Sequence, residues 1–248
     1  MIKSGNPALG AETFNKVQRT PGITMTIQGA VNKSMMLLIL LVCGAGYAWH
    51  EAASSEEAFR QMAGYLIPLL IAGLVIALVT VFFKKFSPYT APFYAVIEGV
   101  LLGIISLMAE MRFPGIVMQA VGLTMGVFFS LLIAYKSRMI KATENFKLGV
   151  AAATGGIFVI YLVSFVLGFF GMNIPYIHES GLIGIGFSLF VVVIAALNLV
   201  LDFDFIEQGA ASGAPKYMEW YSAFGLLVTL IWLYIEILNL LMKLRGRD

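Results

Sequence analysis

The sequence predicts an all-α polytopic membrane protein with seven transmembrane helices, and three observations carry that expectation. Of its 248 residues 60% are hydrophobic and only 12% are charged, with a mean hydropathy of +0.89, beyond what a soluble domain needs. The apolar residues gather in seven runs, most of them long enough to cross a bilayer, which takes roughly 20 helical residues. The alternating segments of about 10 residues that mark a membrane barrel are absent.

Taken in order, residues 1–33 read as a polar cytoplasmic tail, with Lys3, Glu12, Lys16 and Arg19 among scattered Gly and Pro. The first apolar stretch begins too late for a signal peptide. The transmembrane domain then occupies 34–243, and 244–248 form a short basic tail. The first run, 34–49, is short and holds Cys43, the single cysteine. No disulfide within the chain is possible, and Cys43 is expected to be a small buried hydrophobe. The second, 62–83, contains Pro68, whose ring removes one backbone hydrogen bond and predicts a kink. The third, 91–109, carries Glu98 and the pair Gly99-x-x-x-Gly103, which lets neighbouring backbones approach closely. Runs at 114–135 and 148–171 follow, the latter with Gly155 and Gly156. The sixth run, 182–205, contains Asp202 near its end, and the seventh, 220–242, contains Glu236. No internal repeat stands out, and no extramembrane segment is large enough to fold alone.

Lys and Arg between the spans set the expected orientation. The tail carries Lys3, Lys16, Arg19 and Lys33; the next loop on that side has Lys84 and Lys85, and the one after it Lys136, Arg138, Lys141 and Lys147. Opposite lie the acidic loop 50–60, the turn at Arg112 and the loop 173–180. The N-terminus is therefore expected in the cytoplasm. Seven spans put the C-terminus outside, in tension with the basic Lys243, Arg245 and Arg247.

The chemistry concentrates in the last two spans. An ionisable group within a membrane span costs about 2.5–3.5 kcal/mol on insertion scales, so such residues are functional candidates by default. Ser188, Asn198 and Asp202 share a stripe on the sixth span, with Ala195 between them. Thr229, Trp232, Glu236, Asn239 and Lys243 recur at spacings of three and four on the seventh, which puts them on one face. Two polar stripes on consecutive helices are expected to face each other, as interhelical contacts or as a proton or cation site. Asp204 turns to another face of the helix and, with Glu207, reads as solvated or as a cation-attracting vestibule. Glu98 is a third intramembrane carboxylate that could join the pair or meet a lysine. Meeting of Asp202 with Glu236 requires that 216–221 project from the membrane or lie at its interface, since a helix starting at Lys216 would carry Glu236 about 30 Å along its axis.

Catalytic patterns are missing: no HExxH, no G-x-S-x-G, no Walker loop and no nucleophile–histidine set. The chain is expected not to be an enzyme and to hold no resident cofactor. His50 and His178 have no ligand spacing, so neither is expected to bind a metal. The net charge of +2 is accounted for by the basic loops, and no nucleic-acid partner is implied.

The segments LDFDFIEQG, APKYMEWYSAFGLLVTL and LYIEILNLL near the end, and FYAVIEGVLLG in the third span, resemble the Bax inhibitor family. The likeness runs from about Met35 to Lys243, and the compact form resembles the prokaryotic branch, which implies a bacterial inner membrane. What the resemblance implies is a bundle of six helices around a central seventh, linked to calcium leak and to stress or cell-death control. It also implies a pair of acids on the last two helices acting as a pH-sensitive latch, matched here by Asp202 and Glu236. Lys84 stands nearest the family's basic lock on the second helix, although lysine cannot make the forked contact of arginine.

The expected function is thus a pH-responsive cation leak, for calcium, with Asp202 and Glu236 as the coupled proton site and as candidate calcium ligands. Asn198, Asn239, Glu98, Lys84 and Asp204 are the auxiliary candidates. The expected partners are the lipid bilayer, calcium or protons, and other membrane proteins. The alternative is a non-conducting regulator of stress or membrane-protein quality control acting through protein partners.

Overall fold

The computed structural model describes residues 24–170 and 181–246. Residues 1–23 of the expected tail, the 173–180 loop with His178, and Arg247 lie outside them. Among the described residues there are eight α-helices: α1 (Ile27–Ala52), α2 (Glu56–Gly64), α3 (Leu66–Phe82), α4 (Ser87–Arg112), α5 (Ile116–Lys136), α6 (Glu144–Phe169), α7 (Leu182–Ala211) and α8 (Met218–Arg245). A short 3-10 turn, Lys84–Phe86, leads into α4. Counting α2 with α3 as one span, seven helices are long and apolar enough to cross a membrane. The expected all-α, seven-span architecture holds.

Two boundaries differ from the sequence reading. Helix α1 starts at Ile27, well before the apolar run, because Thr26 caps it: its side chain accepts from Gly29 N at 2.9 Å, satisfying one of the orphan donors of the first turn. Span two is broken rather than kinked. Helix α2 ends at Gly64 and α3 begins at Leu66, so Pro68 falls in the first turn of a new helix, where its missing N–H interrupts no internal bond.

The chain divides into two compact units. One comprises the described residues 24–117 and 206–227, and is built on α1, α3 and α4. Its central contact is the one that Gly99-x-x-x-Gly103 predicted. A Cβ on Gly99 would fall against the carbonyl oxygen of Leu41, and one on Gly103 against that of Ala45. From the other side, a Cβ on Gly44 would lie 2.8 Å from the carbonyl oxygen of Val96. Helices α1 and α4 therefore meet backbone to backbone. Cys43 does not share that face: it is exposed, because the buried positions Leu37, Gly44 and Ala48 of α1 lie about 100–140° away from it around the helix.

The same unit holds the α7–α8 connection. Helix α7 ends in a left-handed Gly213 (φ 69°), with Ala214 N bonded to Gly209 O and Gly213 N to Ala210 O, the paired closure of a Schellman cap. Met25 N then donates to Ala214 O at 2.7 Å. Glu219, in the first turn of α8, accepts from Thr26 N and Thr26 Oγ1 at 3.0 Å each and from Lys216 Nζ at 2.8 Å. Gly29 leaves the space this carboxylate fills.

The other unit comprises the described residues 118–170, 181–205 and 228–246, and contains most of α5, α6, α7 and the second half of α8. Its apolar centre is Ile157, Val191 and Ile194, flanked by Ala153, Tyr161, Phe187 and Trp232. Across the chain, α8 is the most buried span, with 61% of its most apolar stretch covered, against 11–17% for α1, the α2–α3 span, α5 and α6. Large side chains such as Ile67, Phe158 and Phe165 stand exposed on those four spans, a surface that fits lipid and not water.

Candidate functional site

The α7 stripe is buried as its spacing implied. Ser188, Ala195, Asn198 and Asp202 are all covered, Asp202 completely. Asn198 Nδ2 donates to Thr154 Oγ1 on α6 at 2.8 Å and to its own-helix Ile194 O at 2.9 Å. Its Oδ1 is buried without a hydrogen-bond donor, one helical turn from Asp202.

On α8, Thr229 and Glu236 are buried, while Trp232, Asn239 and Lys243 are half-buried. One Glu236 oxygen accepts from the Tyr161 hydroxyl at 2.9 Å and from Trp232 Nε1 at 3.2 Å. The second donor comes from one turn earlier on the same helix, the i, i+4 spacing at which side chains meet. Lys243 Nζ reaches across to Ser188 Oγ at 2.8 Å and Gly184 O at 3.2 Å. The two polar stripes do face each other along this stretch.

These contacts also set the register. The helices run antiparallel: Lys243 lies by Ser188, while Trp232, earlier on α8, packs against the cluster of Ile157, Val191 and Ile194, the last two of which come later on α7. Glu236, seven residues before Lys243 (243 − 236), falls opposite about residue 195 (188 + 7). Asp202 is then about seven residues further along, roughly 10 Å at 1.5 Å per residue. Tyr161 stacks edge-on against Phe187 while bonding Glu236, which draws Glu236 further from Asp202. The expected meeting of the two acids needed 216–221 to project from the membrane or lie at its interface, and within its own unit that stretch is folded in. Met218, Glu219 and Tyr221 are buried there. By the register of the Lys243–Ser188 contact, the two carboxylates lie about two helical turns apart along the helix pair.

Asp204 is neither solvated nor an open vestibule. Its Oδ2 lies 2.8 Å from Lys147 Nζ, and its Oδ1 lies 3.4 Å from the Tyr135 hydroxyl. The side chains of Lys147 and Asp204 are 5% and 16% exposed. Lys147, counted in the sequence as a loop cation, belongs to the first turns of α6.

The remaining candidates lie in the unit of α1, α3 and α4. Glu98 is half-buried, bonded to Tyr94 one turn earlier and seated over Gly73 of α3. Tyr94 packs edge-on to Phe224 of α8, with ring centroids 5.0 Å apart. Lys84 stands 5.4 Å from the Tyr221 ring centroid, a cation–π contact. Among the described residues, no three His, Cys, Asp or Glu side chains gather to hold a metal ion.

Tyr161, Thr154, Lys147 and Glu219 were missed as site residues. Tyr161 and Thr154 carry a weak signal, as polar groups in the middle of an apolar run. Lys147 and Glu219 sit at span ends, where charge is ordinary, and only the fold reveals their burial.

None of the curated proteins compared matches the chain. Among known families, residues 6–246 match the one described as Bax inhibitor 1 like. That match spans all seven apolar helices, including Asp202 and Glu236, and the chain belongs to the Bax inhibitor family.

Proposed function

We propose that this protein is a pH-responsive cation leak, with calcium as the favoured ion, and that it is not an enzyme. The observation that carries the reading is Glu236: a carboxylate buried within the most buried span, held by a tyrosine and a tryptophan donor, with the Lys243 charge about two turns further along the same helix. Such a group is costly in a membrane interior and marks ion or proton pathways. Asp202, fully buried on the facing helix, supplies a second station. Asn198 Oδ1, one turn from Asp202, adds a neutral oxygen of the kind a hard cation accepts.

The latch implied by the family takes a modified form in this reading. The two acids respond to protons at different depths of one helix pair, and not as a single shared-proton dyad. Proton occupancy at either would change the charge that a passing cation meets.

Purified protein in liposomes should carry calcium down its gradient at a rate that changes between about pH 6 and 8, the range over which buried carboxylates can titrate. No flux above empty vesicles at any pH in that range would favour a non-conducting regulator acting through protein partners.

A further inference from the structure

The leak reading makes no use of Lys147, yet Lys147 is the most heavily buried cation among the described residues. Its ammonium lies 2.8 Å from Asp204 Oδ2 and 3.8 Å from Glu144 Oε1. The Glu144 side chain is 62% exposed, so the close and dry contact is the one with Asp204. Tyr135 of α5 approaches the other oxygen of the same carboxylate. Three helices, α5, α6 and α7, thus converge on one acid.

That acid sits in the segment Asp202-Phe203-Asp204-Phe205-Ile206-Glu207, the most negative stretch of α7. A cation entering at this end of the helix would meet Asp204 within two residues of Asp202. Desolvated ion pairs are often no more stable than apolar groups of the same volume. Charge, rather than packing, is therefore what this pair contributes. Lysine suits the task, being a compact point charge on a flexible four-carbon stem that can withdraw from a carboxylate without moving the backbone.

We propose that Lys147 is a tethered counter-ion. Its ammonium occupies the Asp204 carboxylate that an entering cation would otherwise use, and so sets the resistance of the leak. Lys147 is a positioning residue in this scheme, acting through Asp204. The inference rests on the leak reading, and binding is therefore tested apart from flux.

The test uses full-length protein in two assays: Tb³⁺ binding in detergent, followed by tyrosine- and tryptophan-sensitised luminescence, and calcium flux in liposomes. Lys147→Gln keeps a hydrogen-bond donor for Asp204 and removes the charge. It should raise Tb³⁺ binding and the flux rate severalfold, while Lys147→Arg, which keeps the charge, stays near the parent protein. Lys147→Gln combined with Asp204→Asn should return binding to the parent level. Asp204→Asn alone tests the same claim without touching the lysine, because a carboxylate already occupied should not be missed, and Tb³⁺ binding should be unchanged. The inference is overturned if Lys147→Gln gains no binding, if its gain survives Asp204→Asn, or if Asp204→Asn alone lowers binding. Gained binding with no flux in any variant would sink the leak reading and leave the counter-ion standing. Flux that is present but indifferent to Lys147→Gln would sink the counter-ion alone.

Discussion

Glu236 and Asp202 differ less in burial than in what surrounds them. Glu236 has two donors on one oxygen, and removing the one from Tyr161 should cost about 1 kcal/mol, the scale of hydrogen bonds between membrane helices. Tyr161→Phe should therefore lower the melting temperature in detergent modestly; an unchanged melting curve would mean the bond holds nothing. The separation of the acids has its own consequence. Effects at sites more than about 7–10 Å apart usually add, so Asp202→Asn and Glu236→Gln should each remove part of the pH dependence of flux, and the double variant should remove the sum. A double variant no worse than either single would instead mean the two share one proton. Asp202, Glu236 and Asn198 were legible in the sequence because a polar group in an apolar run declares itself. The Lys147–Asp204 pair was not, because its partners lie 57 residues apart (204 − 147) and each alone looks like ordinary charge at a helix end.

At the scale of helices, hydropathy located the spans well because bilayer thickness imposes a length that local sequence must meet. It did not locate the start of α1, whose first turns carry Gln28, Asn32 and Lys33 and read as tail. That start depends on Thr26 and on Glu219 from the far end of the chain, which no local window contains. The α1–α4 contact was legible from Gly99-x-x-x-Gly103, and it can be tested against a glycine that has no such duty. Gly99→Ala places a methyl group against the Leu41 carbonyl and should destabilise by about 1–3 kcal/mol, as overpacking does. Gly126 of α5 has no atom within 4 Å of its would-be Cβ. Gly126→Ala should be neutral or stabilising by up to about 1 kcal/mol through helix propensity. Equal melting temperatures for the two variants would contradict the backbone-to-backbone contact.

For the whole molecule, the seven apolar helices and their exposed Leu, Ile, Val and Phe surface make a lipid-embedded protein, and the lysine and arginine distribution predicts its orientation. In a Cys43→Ala background, a cysteine at Lys141 should be labelled only from the cytoplasmic side and one in the 50–60 loop only from the other; labelling of Lys141→Cys from outside would reverse the assignment. The central claim, that buried carboxylates make this family member a proton-responsive cation leak, is tested most directly by calcium flux into liposomes carrying the parent protein or its Asp202→Asn, Glu236→Gln double variant, across about pH 6–8. The account predicts flux above empty vesicles that varies with pH in the parent and is flat with pH in the double variant. Absence of flux in the parent, or a pH dependence that survives loss of both carboxylates, would contradict it.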